Sequence, residues 1–186
     1  MRAFSFVHAA DLHLGYAQYG LEARREDFDK AFEELVNRTI ELKPDLMIIA
    51  GDLFHQARPS NVTLENAIRN FSRLREAGIP VLTVDGSHDS APNTITGTIL
   101  NPLDSAGLIY HLPRHEGASW RKEGCCYVYG VPNYRTRNKT GEALPAFMEQ
   151  NKPVPEPALF NIFVFHMAID LPGITPPYIE AEASPE

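Results

Sequence analysis

Residues 84–92 read VDGSHDSAP, in which Ser87, His88 and Asp89 are consecutive and begin two residues after the apolar run VLTV at 81–84. The apolar run predicts a buried strand. The loop after it then lies at the carboxyl edge of an open α/β sheet, where such folds bind their ligands. A serine hydrolase triad is excluded, because its members are neighbours in space and not in sequence. The loop therefore needs a different chemical explanation.

Acidic and imidazole side chains follow four predicted strands in the same way. They are Asp11 and His13 after the first strand, Asp52 and His55 after the second, His88 and Asp89 after the third, and His166 after a later strand over 161–165. Asp11 and His13 are two positions apart, so in extended backbone they point to one side and can share an ion. Each residue alone is also explained as a turn former, a cap or a buried histidine. Together, carboxylates and imidazoles at several strand ends predict a metal site.

Hydrophobic periodicity predicts an α/β fold with a βαβαβ core followed by mixed elements. The predicted elements are a strand from Phe4 to Val7, a helix carrying Phe28 to Ile40, a strand over 45–50, a helix capped by Ser60 and stopped by Gly78, a strand over 81–84, a helix over 98–106, a strand over 127–131, a helix over 142–150 and a strand over 160–165. Pro172 to Glu186 has no core pattern.

The composition predicts one globular domain, with 186 residues and 44% hydrophobic residues. A net charge of −7 argues against holding nucleic acid by bulk charge. Residues 134–140, YRTRNKT, nevertheless form a local basic stretch. Its Arg135, Arg137 and Lys139 are candidates for contact with DNA phosphates, and a solvated surface loop is an equally good interpretation.

Cys125 and Cys126 are adjacent in an apolar run and lack the spaced second pair of a zinc site or a disulfide framework, which predicts buried structural thiols. The sequence has neither a signal peptide nor an apolar run of membrane-spanning length, so we expect a cytoplasmic protein without a membrane partner.

Asp11-Leu12-His13, Gly51-Asp52 and Gly86-Ser87-His88-Asp89 together resemble the motifs D-x-H, G-D and G-N-H-D/E of the calcineurin-like metallophosphoesterases. The stretches LHLGYAQYGLEARREDFDKAFEEL (12–35), GDLFHQARPSNVTLENAI (51–68) and IPVLTVDGSHD (79–89) look more narrowly like the SbcD-type exonucleases of double-strand-break repair. The resemblance extends from Phe4 to about residue 170. It implies a sandwich of two β-sheets flanked by helices, and a nuclease that uses two Mn²⁺ or similar ions.

The resemblance also implies a role for each matching residue. Asp11 and His13 would bind the first ion and Asp52 would bridge both, while His166 and Ser87 would bind the second. His88 would protonate the leaving 3′ oxygen or stabilise charge on the phosphate, with Asp89 fixing its orientation and His55 supporting it. The implied partners are DNA and an SbcC-type coiled-coil ATPase, and a homodimer is compatible with the resemblance.

Two departures from the family pattern affect these expectations. Ser87 replaces the usual asparagine and is a shorter, weaker oxygen donor. The family's G-H-x-H motif is absent, and its place would lie beyond Ile179 to Glu186. We therefore expect residues 1–186 to be a C-terminally truncated nuclease domain, without the G-H-x-H segment and the capping domain, that binds metal weakly and has little activity alone. The alternatives are another metallophosphoesterase, such as a phosphatase or cyclic-nucleotide phosphodiesterase, and a non-catalytic DNA-binding subunit.

Overall fold

Two β-sheets form the centre of the protein. The computed structural model describes residues 3–90, 97–134, 137–170, 174–176 and 181–183, with the backbone alone at 137–139. The first sheet is parallel throughout, in the order β1-β2-β3-β4, with β1 at Phe6–Ala9, β2 at Leu46–Ala50, β3 at Val81–Val84 and β4 at Tyr110–His111. In the second sheet, β6 (Cys126–Gly130) lies between antiparallel β5 (Ser119–Lys122) and parallel β7 (Phe160–Val164).

Helices cover the outer faces of both sheets. They are α1 at Glu22–Leu42, α2 at Asn61–Glu76, α3 at Leu100–Ser105 and α4 at Arg137–Gln150, with single 3₁₀ turns at Gln18–Gly20, Leu112–Arg114 and Glu116–Ala118. Within the described ranges, no helix is long and apolar enough to cross a membrane. The predicted α/β sandwich of two sheets flanked by helices is confirmed.

Strand β2 is buried on both faces because it lies between two layers of core. Met47 and Ile49 pack with side chains of α1 and α2, whereas Leu46 and Ile48 pack with the second sheet. A continuous apolar run is the expected sequence of a parallel strand covered on both sides. Because this strand is held on both sides, it fixes the position of Asp52, which lies two residues beyond its end.

Helix α2 begins where the sequence predicts. The Ser60 hydroxyl accepts a hydrogen bond from the backbone N–H of Thr63 at 3.2 Å, which satisfies a free donor of the first turn. Ala67, Phe71 and Leu74 then bury one face of the helix against the first sheet.

Cys125 and Cys126 are free thiols buried between the two sheets, as predicted. Burial, with Cys125 beside it, raises the pKa of Cys126 to about 12. Both residues therefore act as small apolar side chains in this layer of the core.

Three features differ from the sequence-based expectation. Strands β4 and β5 were not predicted, since β4 has two residues and β5 reads SWRK, which lacks an apolar run. Strand β1 begins at Phe6 and not at Phe4. Helix α4 begins at Arg137, five residues before the predicted start, and contains Pro145. In each case pairing or packing with distant residues overrides the local pattern.

Candidate metal centre

The loops after β1 and β2 run side by side and bring the first candidate ligands together. The N–H of Asp11 donates to Gly51 O at 3.2 Å, and the N–H of His13 donates to Asp52 O at 3.0 Å. The N–H of Leu14 continues the ladder with Leu53 O at 2.9 Å. Side chains that are about forty positions apart in the sequence thus leave the sheet at the same place.

The backbone of these loops is not extended, so the expectation that Asp11 and His13 share a side through strand geometry is wrong. Asp11 (φ 56°), His13 (φ 44°) and Asp52 (φ 50°) all adopt left-handed conformations, which non-glycine residues rarely occupy. The two side chains nevertheless meet, with His13 Nε2 3.8 Å from Asp11 Oδ1. Such strained backbone is characteristic of functional sites, where the surrounding structure holds it in place.

Asp52 is the centre of the cluster. Its Oδ1 accepts a hydrogen bond from the N–H of His88 at 2.9 Å. Its Oδ2 lies 3.5 Å from His166 Nε2, 3.8 Å from His13 Nε2 and 4.0 Å from His88 Nε2. Burial opposes ionisation, but hydrogen bonds from His166 and from the His88 backbone outweigh it, and the pKa of Asp52 falls below its usual value. Asp52 is therefore a buried carboxylate that faces three imidazoles.

His166 approaches Asp52 from the second sheet. Its Nδ1 donates to Ala50 O at 2.7 Å, which leaves Nε2 for Asp52 and, at 3.9 Å, for Asp11 Oδ1. The hydrogen bond to Asp52 raises the pKa of His166 to about 9, against the effect of burial. Gly51 makes this approach possible, because a Cβ there would overlap the imidazole ring.

The donor set fits divalent metal ions. Asp11, Asp52 and His166 each offer one ligand atom within 4.8 Å of the others. The imidazoles of His13, His55 and His88 form a second group with the same spacing. Carboxylate oxygens and neutral imidazoles bind divalent transition ions. Burial lowers the pKa of His55, and the neighbouring His88 and His13 act in the same direction against the effect of Asp52, which favours the neutral imidazole that binds metal.

Asp89 contacts the loop backbone and not the ring that it was expected to orient. It is completely buried, and its carboxylate accepts hydrogen bonds from the N–H groups of Leu53 (3.0 Å), Phe54 (2.8 Å) and Gly86 (3.2 Å). Burial raises the pKa of Asp89 to about 6, although these three bonds oppose the rise. Asp89 therefore joins the loop after β2 to the loop after β3.

The ring of His88 is oriented by His55. His88 Nδ1 donates to the backbone carbonyl of His55 at 2.7 Å, which turns Nε2 towards Asp52. His55 therefore contacts His88 directly, through its main-chain carbonyl and not through its imidazole. Ser87 lies on the other side of the loop and lines a cavity of about 330 Å³ together with His166 and Asn133.

The predicted DNA contacts fall outside the described parts of the chain. Arg135 belongs to a pair of residues that the structure does not describe, and only the backbone is described for Arg137 and Lys139 at the start of α4. Their role in DNA binding stays a prediction.

Four residues shape the site although the sequence alone assigned them no role. Gly86 faces Asp52 so closely that a Cβ would overlap both Oδ1 and the backbone nitrogen. The Asn133 amide donates to the backbone carbonyl of His166. His111 Nε2 lies 2.7 Å from Asp85 Oδ2 in a buried pair at the start of the His88 loop. Asn133 follows the end of β6, but a search restricted to acidic and imidazole side chains after strands does not select an amide.

Comparison with known proteins agrees with this geometry. Residues 4–178 match the calcineurin-like phosphoesterase family. The DNA double-strand break repair protein Mre11 of Methanopyrus kandleri is 31% identical over 176 residues, which are 91% of this chain and 38% of that protein. Mre11 of Archaeoglobus fulgidus is 42% identical over 104 residues, covering 56% of this chain and 23% of that protein. This chain therefore spans well under half the length of these relatives.

Among solved structures, the crystal structure of TT1561 of Thermus thermophilus superposes with a TM-score of 0.56 at 17% identity. The match covers 93% of this chain and 72% of that one. At this identity the likeness shows a shared fold.

Proposed function

The chain belongs to the calcineurin-like phosphoesterase family, and on that premise we propose that it is a Mn²⁺-dependent DNA nuclease of double-strand-break repair. The observation that carries the proposal is the convergence of three imidazoles and Asp11 on the buried carboxylate of Asp52. DNA as substrate is supported by the similarity to proteins named for double-strand-break repair. An SbcC-type coiled-coil ATPase is the proposed partner, and the cytoplasm the proposed location.

Two Mn²⁺ ions are the proposed cofactors. Asp11 and His13 are the proposed ligands of the first ion, Asp52 would bridge both ions, and His166 and Ser87 would bind the second. Asp52 suits the bridging position because its Oδ2 faces three imidazoles and its pKa is lowered. Bound ions of this kind neutralise charge on a phosphodiester and activate water for in-line attack.

His88 is the proposed proton donor to the leaving 3′ oxygen. Its Nδ1–H is committed to the His55 carbonyl, so the proton is released from Nε2, on the side of the ring that faces Asp52. The His88 side chain is 40% exposed, as a group that contacts substrate must be in part. General acid catalysis of this type contributes about 10²- to 10⁴-fold to a rate.

We expect weak metal binding and low activity from residues 1–186 alone. In the part of the chain that the structure describes, the proposed second ion has Asp52, His166 and the weak donor Ser87, which is a small set for a dinuclear centre. Further ligands supplied by other protein segments would raise the affinity.

Two variants separate metal binding from proton transfer. Mn²⁺ at 100 times its dissociation constant raises the free energy of unfolding by about 2.7 kcal/mol. We expect Asp52→Asn to abolish this gain together with cleavage of linear duplex DNA. His88→Gln keeps much of the gain but loses about 10²- to 10⁴-fold in cleavage rate. Asp27→Asn, an exposed position on α1, is the matched control and changes neither.

Two results would contradict the proposal. The first is DNA cleavage by Asp52→Asn at the wild-type rate. The second is hydrolysis of phosphomonoesters or cyclic nucleotides with no action on DNA, which would favour another phosphoesterase of the same family.

A further inference from the structure

Three histidines form a compact group next to the carboxylate cluster. His13, His55 and His88 each place one ring nitrogen within 4.8 Å of the others. The ring centroids lie 4.8 Å apart for His13 and His88, 5.0 Å for His55 and His88, and 5.6 Å for His13 and His55. Three imidazoles without a carboxylate make a softer donor set than the group of Asp11, Asp52 and His166.

Neighbouring groups already orient two of these rings. The bond from His88 Nδ1 to the His55 carbonyl leaves Nε2 of the neutral ring with a free lone pair. A hydrogen bond from the other ring nitrogen to a carbonyl is the usual way in which proteins orient a metal-binding histidine. His55 packs on Tyr16 with ring centroids 4.1 Å apart, and Tyr16 packs in turn on Phe28.

Two of the rings have a buried nitrogen without a hydrogen bond. His13 Nδ1 and His55 Nδ1 are inaccessible and have no partner among the described residues. Most buried polar atoms in proteins have a hydrogen-bond partner, so two unpaired ring nitrogens in one group are unusual. These two ring nitrogens therefore have no hydrogen bond that a metal ion would have to break.

We propose that His13, His55 and His88 form an alternative nitrogen-donor site, sharing two residues with the proposed catalytic centre, that binds a borderline transition ion such as Zn²⁺ in preference to Mn²⁺. Three imidazoles with a fourth position left open are a known zinc coordination set. For nitrogen donors the affinity rises from Mn²⁺ to Zn²⁺ along the Irving–Williams order. Small rotations of the three side chains bring the ring nitrogens from their present spacing to bonding distance.

The consequence for catalysis rests on the proposed function. An ion bound through His88 Nε2 removes the nitrogen that would carry the proton to the leaving group. It also withdraws His13 from Asp11 and Asp52, because His13 Nε2 lies 3.8 Å from both carboxylates. Zinc at the three-histidine site therefore inhibits a nuclease that manganese activates.

The binding test uses the 186-residue chain with Co²⁺ as the spectroscopic substitute for Zn²⁺. We expect a visible d–d band of four- or five-coordinate Co²⁺ that stoichiometric Zn²⁺ removes and excess Mn²⁺ does not. His55→Phe keeps an aromatic ring on Tyr16 and weakens Co²⁺ binding by at least about tenfold. His115→Phe is the matched control, since His115 also packs on a tyrosine, Tyr110, with centroids 3.8 Å apart.

Two further variants make the result specific. Asp11→Asn alters the carboxylate cluster and leaves the three imidazoles intact, so the Co²⁺ band persists. If His55→Phe fails to fold, His55→Gln removes the ring without adding bulk and takes its place. A band that survives the loss of His55, disappears in Asp11→Asn, or yields to Mn²⁺ as readily as to Zn²⁺ would overturn the site.

Hydrolysis assays distinguish this inference from the proposed function. Zinc inhibition of Mn²⁺-dependent DNA cleavage supports the inference, and cleavage that zinc at the site leaves unchanged overturns the inhibitory role. If no metal supports DNA cleavage, the proposed function fails, while the cobalt spectra still decide whether the three-histidine site exists.

Discussion

Gly86 is the residue that gives Asp52 its position. A Cβ at Gly86 would overlap both Oδ1 and the backbone nitrogen of Asp52, and neither can move without breaking the bond from His88 N to Oδ1. We therefore predict that Gly86→Ala lowers the free energy of unfolding by about 1 to 3 kcal/mol, as overpacking does elsewhere. The same change abolishes stabilisation by Mn²⁺. Urea unfolding with and without the ion measures both effects.

Gly141→Ala is the control for this prediction. Gly141 lies exposed in α4, and a Cβ there would meet open space. Alanine favours a helix over glycine by up to about 1 kcal/mol, so this variant should be slightly more stable than the wild type. Equal stability of the Gly86 and Gly141 variants would contradict the assigned role of Gly86.

At the scale of elements, Asp104 joins α3 to the edge strand β4 and to the turn that follows. Its Oδ1 accepts from the N–H of His111 at 3.0 Å and from His115 Nε2 at 2.8 Å, and its Oδ2 accepts from Arg114 Nη1 at 2.7 Å. Burial opposes ionisation, but the bonds from His115 and His111 prevail and lower the pKa of Asp104. The carboxylate therefore stabilises the fold.

The lowered pKa fixes the direction of a pH effect. The stabilisation is fully present above the ordinary aspartate pKa of 3.8 and is lost as the pH falls through the lower, folded value. We predict that Asp104→Asn costs about 1 to 3 kcal/mol at pH 7, as expected when several donors lose a buried charged acceptor. The difference from the wild type shrinks below about pH 4. Urea unfolding at several pH values measures it.

Asp27→Asn is again the matched control, because the Asp27 carboxylate is half exposed and pairs with Arg24 on the surface of α1. Exposed pairs contribute at most about 1 kcal/mol. A difference between Asp104→Asn and the wild type that grows as the pH falls would contradict the prediction.

At the scale of the whole molecule, the two thiols report on the separation of the sheets. Cys125 and Cys126 lie between the first and second sheets, and the pKa of Cys126 is raised to about 12, so its reactive thiolate is scarce at neutral pH. We predict that a thiol reagent modifies the native chain only as fast as it unfolds. The reaction rate should therefore rise with urea in parallel with the unfolding rate.

The fully unfolded chain is the reference for this measurement, since both thiols are accessible there. Rapid modification of the native protein that is insensitive to urea would show that the two sheets separate locally, and it would contradict a single closed core.

The sequence alone determined the order of the main elements and the identity of most candidate ligands. Apolar runs and helical spacing gave β2, α2, β3 and β7 because these signals are local. The polar residues after the strands predicted the metal site, because parallel strands direct their carboxyl ends to one edge of a sheet. Asp52, His88 and His166 were found in this way, before any distance between them was known.

Only the tertiary structure decided how these residues meet. Three features of the site have no signal in the local sequence. They are the left-handed backbone of Asp11 and His13, the three N–H groups bound by Asp89, and the overlap that a side chain at Gly86 would cause. His166 is oriented by the carbonyl of Ala50, 116 positions earlier in the chain. Contacts over such separations depend on how two sheets stack, and short-range periodicity carries no information about that packing.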